Sequence, residues 1–203
     1  MTDLRAAVLR KSLESRETQR LFFEESADRI VACAKAMAAA FDAGGRLFVM
    51  GNGGSACDAE HLLVEFMHPV VEKRPPLPVV ALQTSTALLT AVANDADFSQ
   101  AFAAQLKLLA KAGDMALGIS TSGKSAGVAR ALRAAKERGL LTIGFAGRDG
   151  GDLAPLCDHA FVVPSFSIHR IQEAHVAAYH ILWDLVHTIL ADDRGSAQLG
   201  GRP

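Results

Sequence analysis

Apolar residues recur at helical spacing from the start of the chain: Leu4, Val8 and Leu13, then Leu21, Phe22, Ile30, Val31, Ala34, Met37 and Phe41, with no glycine or proline between Thr2 and Phe41. The periodicity predicts two helices, joined near Ser15 to Thr18 or near Glu24 to Ser26. Gly44-Gly45 ends this region, and the pattern changes to short apolar runs followed by Gly- or Ser-rich turns and then helical segments. The runs are Arg46–Met50, Val79–Leu82, Met115–Ile119, Leu141–Phe145 and Ala160–Val163. Short continuous apolar strands alternating with helices indicate a parallel sheet covered on both faces. The expected fold class is therefore α/β, with a doubly wound, mostly parallel five-stranded sheet flanked by helices. Residues 1–43 precede this repeat and are expected to pack on its edge or to form an oligomer contact. Residues 44–191 form the α/β core, closed by a helix from about Gln172 to Ala191 that carries Val176, Ile181, Leu182, Leu185, Val186 and Leu190. Residues 192–203 are polar and Gly-rich and read as a frayed, disordered tail.

Composition narrows the function. A chain of 203 residues fits one domain. With 21 Lys+Arg against 22 Asp+Glu, it lacks the basic excess that marks nucleic-acid or anionic-membrane binding, so any anion must be held locally. Cys33, Cys57 and Cys157 form an odd set without a close pair, and no cleavable apolar leader follows Met1. These features predict a cytoplasmic protein with reduced thiols. The longest apolar stretches fall well short of the ~20 residues a spanning helix needs.

Two Gly/Ser loops follow predicted strands and precede helices: Gly51-Asn52-Gly53-Gly54-Ser55 and Ser120-Thr121-Ser122-Gly123-Lys124-Ser125. Ligands of doubly wound sheets bind at the carboxyl ends of the strands, where such loops lie. Hydroxyls and free amides at a helix N-terminus suit a phosphate, because unpaired N–H groups and the helix dipole both favour an anion. Neither loop is a Walker sequence or a GxGxxG, which disfavours nucleotide hydrolysis and the usual dinucleotide fold. A Ser-capped strand-to-helix turn explains one such loop equally well; two in the same topological position point to a site.

His61 and Glu65 are four apart on the helix after the first loop, so imidazole and carboxylate share a face and can hold a metal or act on one substrate. A bare pair at this spacing is commonly a solvated surface contact, but this helix starts at the anion loop. Asp58 lies nearer the helix start and reads as a cap-region acid. The last helix and its approach hold His169, His175, His180 and His187 with Arg170, Gln172 and Glu173. Gln172 and His180 lie about 12 Å apart along a helix axis, and spacing alone does not join them to His61 and Glu65. Asn94 and Asp95, with Asp97 behind them, have turn chemistry and are also candidate substrate contacts. Cys57 beside the first loop reads as a small packing residue.

Taken together, Gly51-Asn-Gly-Gly-Ser-Ala-Cys-Asp-Ala-Glu-His61-Leu-Leu-Val-Glu65, Gly118-Ile-Ser-Thr-Ser-Gly-Lys-Ser125 and Arg170-Ile-Gln172-Glu-Ala-His175 with His180 resemble the phosphoheptose isomerases, single-domain proteins of the sugar isomerase (SIS) fold. The resemblance runs to about Leu190 and implies one SIS domain over residues 1–191. It implies interconversion of sedoheptulose 7-phosphate and D-glycero-D-manno-heptose 7-phosphate through an enediol. It further implies Zn2+ held by His61, Glu65, Gln172 and His180, with Glu65 as base and His180 as acid. Asn52, Gly53, Ser55, Asn94, Asp95, Ser120, Thr121, Ser122, Ser125 and Gln172 become the substrate and phosphate contacts. The implied assembly is a homotetramer with sites between subunits, with no nucleic-acid or membrane partner.

The chain departs from the family pattern twice. Pro69 stands where an Arg usually follows the Glu, and His169 where an acid usually precedes the Arg-Ile-Gln-Glu segment. Pro69 also predicts that the helix after the first loop ends at or before His68. The loss of a cation and an acid leaves isomerase chemistry possible and the choice of phosphosugar open. A non-catalytic tetrameric scaffold, resembling the paralogue that binds the replication initiator, is the reading from a different class; that paralogue lacks the Glu and His kept here as Glu65 and His180. A sugar-phosphate-sensing regulator would need a DNA-binding domain for which the chain has no room.

Overall fold

The computed structural model describes residues 3–70 and 74–199. The elements in order are α1 (Leu4–Asp42), β1 (Leu47–Gly51), α2 (Gly54–Met67), β2 (Val79–Ala81), α3 (Thr86–Asp95), α4 (Ala101–Leu109), β3 (Met115–Ser120), α5 (Ala126–Glu137), β4 (Leu141–Gly147), β5 (His159–Val163) and α6 (Ile168–Leu199). The strands form one five-stranded sheet in the order β2-β1-β3-β4-β5, and every neighbouring pair is parallel. The α/β class and the apolar runs read as strands are therefore as expected.

Strand residues alternate between two cores. Leu47, Val49, Leu117, Ile119, Ile143, Phe145 and Phe161 pack with α1, α2 and α6. Phe48, Met50, Ala116 and Ala146 pack with α4 and α5 on the other face. Both faces are covered, which is why the strands are apolar throughout instead of alternating with polar residues.

Two boundaries differ from the sequence expectation. The N-terminal region is one 39-residue helix, not two. Asp3 caps it by accepting from the Ala6 amide at 3.1 Å. The polar residues at the expected joins are used sideways: Ser15 donates to Glu173 on α6 at 2.6 Å, and Arg20 bonds both Glu17 and Glu24 along the helix. The helix ends at Gly44, in a left-handed conformation (φ +80°) that glycine accepts without strain. At the other end of the chain, α6 begins at Ile168 and continues through Leu199, well past the expected end at Ala191. Gly195 alone lies in the way, and a single glycine costs a long helix only about 1 kcal/mol. Of the expected tail, residues 200–203 lie outside the described residues. Among the described residues, no helix is long and apolar enough to cross a membrane.

His175 ties α6 to the sheet. It is fully buried, its Nε2 lies 3.0 Å from the Ala146 carbonyl, and its ring meets Phe145 edge-on at 5.5 Å. Burial pulls its pKa down to about 4, against the opposing pull of the Ala146 hydrogen bond. In the unfolded chain the same group titrates near 6.5, so between these values the unfolded state binds the extra proton. Stability from this residue is therefore complete above about pH 6.5 and is lost as pH falls toward 4, by roughly 3 kcal/mol. Denaturant unfolding of wild type and His175→Gln across pH 7.5 to 4 checks this: the variant loses that component of the pH slope, and identical slopes would show that His175 is not held neutral.

Candidate active site

β1 and β3 are adjacent and parallel, with Gly51 opposite Ile119, so the two loops leave the sheet side by side. They are joined there: Asn52 Nδ2 donates to Ser125 Oγ at 2.9 Å. This is also where the strand order reverses direction, the position at which open α/β sheets bind ligands. Gly53 and Gly123 both have positive φ, and a Cβ on Gly123 would lie 2.2 Å from the Gly150 carbonyl oxygen. Ser55 and Ser120 are buried; Ser120 Oγ accepts from the Ser125 amide at 3.3 Å, and Ser122 Oγ from the Lys124 amide at 3.2 Å. Thr121 is half-buried. Neither α2 nor α5 has a side-chain N-cap, so both helix N-termini open onto the loops without a side-chain acceptor.

α2 and α6 lie side by side in the same direction. The Gln172 amide rests against the first turn of α2, where a Cβ on Gly54 would come within 2.3 Å of Nε2. Two turns on, His180 meets His61: their Nε2 atoms are 3.4 Å apart. Glu65 Oε1 lies 3.1 Å from His61 Nε2. Donor atoms of His61, Glu65 and His180 all lie within 4.8 Å of one another, a group able to hold a metal ion. Tetrahedral ligands at about 2.0–2.2 Å from zinc are separated by about 3.3–3.6 Å; the 3.4 Å separation lies in that range and the 3.1 Å one just below it. The structure thus brings together three of the four proposed ligands and sets Gln172 two turns away, against the start of α2.

Two further residues complete the junction. Tyr179 is buried, and its hydroxyl lies 2.7 Å from His61 Nδ1. Trp183 Nε1 donates to the main-chain carbonyl of Glu65 at 2.7 Å. Sequence reasoning passed over both. The available signal was that the chain's only tyrosine and only tryptophan fall seven and eleven residues after Gln172, on the helix face that also carries His180.

The electrostatics are those of a partly desolvated site. Burial lowers the His180 pKa, nearby His61 lowers it further, and Glu65 opposes both. Burial pushes Asp58 up to about 6 against the pull of His61. Tyr179 is pushed up by burial, then by Asp58 and Glu65. A carboxylate and an imidazole facing one space can move a proton between neighbouring atoms of a bound molecule.

The other sequence candidates lie apart from this group. Asn94 and Asp95 are exposed at the end of α3, where Asn94 Nδ2 donates to Asp95 Oδ1 at 2.7 Å. His169 is exposed in the first turn of α6, and His187 is buried in the core. α2 ends at Met67 with His68 as its C-cap, as Pro69 requires. Cys57 is exposed beside the first loop, and all three cysteines are free.

Comparison with known proteins gives this arrangement a family. Residues 13–147 match the SIS domain family. A phosphoheptose isomerase of Nitratidesulfovibrio vulgaris is 42% identical over 95% of this chain and 93% of its own. One from Thermodesulfovibrio yellowstonii is 45% identical over 87% of this chain and 88% of its own. The chain belongs to the phosphoheptose isomerase family of SIS domain proteins. As a member of that family it is an isomerase. The family fold is equally clear in three dimensions: the phosphoheptose isomerase of Neisseria gonorrhoeae superposes with a TM-score of 0.85 at 36% identity, covering 91% of this chain and 99% of that one. A phosphoheptose isomerase from Francisella tularensis gives 0.87 at 33% identity, covering 93% and 100%.

The junction that carries His61, Glu65 and His180 depends on α6 lying against α2. Trp183→Phe keeps an aromatic ring there and removes the N–H that reaches Glu65, leaving a partly buried carbonyl without that partner. Denaturant unfolding followed by circular dichroism is expected to show a loss of about 1 kcal/mol. An unchanged midpoint would mean that this hydrogen bond does not fasten the helices.

Proposed function

We propose that the chain is an aldose–ketose isomerase that interconverts sedoheptulose 7-phosphate and D-glycero-D-manno-heptose 7-phosphate through an enediol. The observation that carries this reading is the convergence of Glu65, His61 and His180 beside two joined, hydroxyl-rich loops. In the proposed binding mode the loops hold the phosphate through Asn52, Gly53, Ser55, Ser120, Thr121, Ser122 and Ser125, and the C1–C2 end of the sugar extends along the α2–α6 groove. Glu65 takes a proton from C1 of the ketose and returns it to C2. His180 moves the accompanying proton between the C1 and C2 oxygens. Burial lowers the His180 pKa and so favours the neutral imidazole, which has a ring nitrogen free to accept a proton. Asn94 and Asp95 are proposed substrate contacts.

His61, Glu65, Gln172 and His180 would hold Zn2+. When bound, the metal supplies electrophilic stabilisation of the negative oxygen of the enediolate.

The proposed assembly is a cytoplasmic homotetramer with sites between subunits. Supporting it is the row of large apolar residues left exposed on α1 and at the start of α6: Leu4, Val8, Leu9, Leu13, Phe166 and Ile168. Pro69 favours one variation on the substrate, another phosphosugar, because the cation usual after the Glu is absent. Arg74 does not take its place; it pairs with Asp184 at 2.8 Å and lies over the Trp183 ring at 4.8 Å. Retention of both Glu65 and His180 speaks against a non-catalytic scaffold.

A coupled assay over a panel of phosphosugars tests the proposal. Sedoheptulose 7-phosphate is expected to turn over fastest, with Glu65→Gln and His180→Gln each lowering kcat by about 10²–10⁴. Turnover confined to another sugar would correct the substrate, and binding without turnover of any sugar would overturn the enzyme. Chelator treatment is expected to remove activity that added Zn2+ restores. Gly54→Ala should fold about as stably as wild type, since a Cβ there meets only the end of the flexible Gln172 side chain. Its methyl group displaces the Gln172 amide, so zinc affinity should fall with no loss of melting temperature; unchanged affinity would remove Gln172 from the ligand set.

A further inference from the structure

Tyr179 is a polar side chain of the α2–α6 junction that the proposed reaction does not use. It is 1% exposed, and its ring meets those of His61 and His180 edge-on at 5.4 and 4.9 Å. His61 is addressed from both sides: Nδ1 by the Tyr179 hydroxyl at 2.7 Å, and Nε2 by Glu65 at 3.1 Å and His180 at 3.4 Å. An imidazole that binds a metal through Nε2 is neutral and carries its proton on Nδ1, and that N–H needs an acceptor to fix the ring. The tyrosine oxygen is the acceptor in reach. Asp58, one turn before His61 on α2, adds a negative charge that acts on both Tyr179 and His61.

We propose that Tyr179 is a positioning residue, holding His61 in the Nδ1-protonated tautomer with Nε2 turned toward Glu65 and His180. The proposal rests on the metal reading above and concerns how this chain's own residues prepare one ligand for it. Glu65 and His180 retain their roles, and the tyrosine acts only through His61.

The test is Zn2+ affinity of the full chain, measured by competition with a chromophoric chelator at one fixed pH, for wild type and Tyr179→Phe. The phenyl ring keeps the packing and removes only the oxygen, and loss of such an outer hydrogen bond typically weakens metal binding 10–100-fold. That range is the expected result. Equal affinities in the two proteins would overturn the role of Tyr179 and leave the metal reading standing, whereas a wild type that takes up no Zn2+ would overturn both. Nitrogen-15 NMR of the zinc-loaded wild type decides the matter independently of how the variant folds. A proton on His61 Nδ1 is expected, and a proton on Nε2 would contradict the proposal.

Discussion

The parallel packing of α6 against α2 is the contact on which the rest of the site depends. Gly54 leaves room there for the Gln172 amide, which a larger side chain would push aside. The packing is fastened two turns further on, where Trp183 reaches a main-chain carbonyl and Tyr179 reaches a ring nitrogen. Neither helix holds all four proposed ligands: His61 and Glu65 come from one, Gln172 and His180 from the other. The sheet sets the position of α2 by starting it at the end of β1, and α1 holds α6 from outside through Ser15 and Glu173. The long N-terminal helix is thus part of what places the site, although it contributes no reactive side chain.

The second constraint is the reversal of strand order between β1 and β3. It lets two loops of similar composition emerge together and hydrogen-bond to one another. On the proposed reading, anion affinity comes from hydroxyls, amides and two helix N-termini, none of which adds to the net charge. A chain with formal charge −1 could in this way bind a phosphate without a basic surface. Proton transfer would be left to a carboxylate and an imidazole a short distance along α2 and α6, so the two ends of a sugar phosphate would be handled by different elements.

Much of this was legible in the sequence where the signal was local. Continuous apolar runs, loop composition and the four-residue spacing of His61 and Glu65 each need only a few neighbouring residues. Pro69 marked the end of α2 for the same reason. What was not legible depended on contacts distant in sequence. Ser15 and the residues around it looked like a break in α1, yet they bond to α6 and to their own helix neighbours. Gln172 and His180, about 12 Å apart along one helix, become comprehensible only with α2 laid beside them, and motif resemblance joined them where spacing did not. Tyr179 and Trp183 belong to no local motif, and their polar atoms find partners only in three dimensions.

The central claim is that one groove, between α2 and α6 and open to the two loops, receives a single sugar phosphate at both ends. A crystal structure of the Glu65→Gln protein with sedoheptulose 7-phosphate bound measures this directly. The predicted result is a phosphate on residues 52–55 and 120–125, with C1 and C2 next to His180 and the substituted side chain. Phosphate bound elsewhere, or a sugar whose C1–C2 end points away from α6, would contradict it.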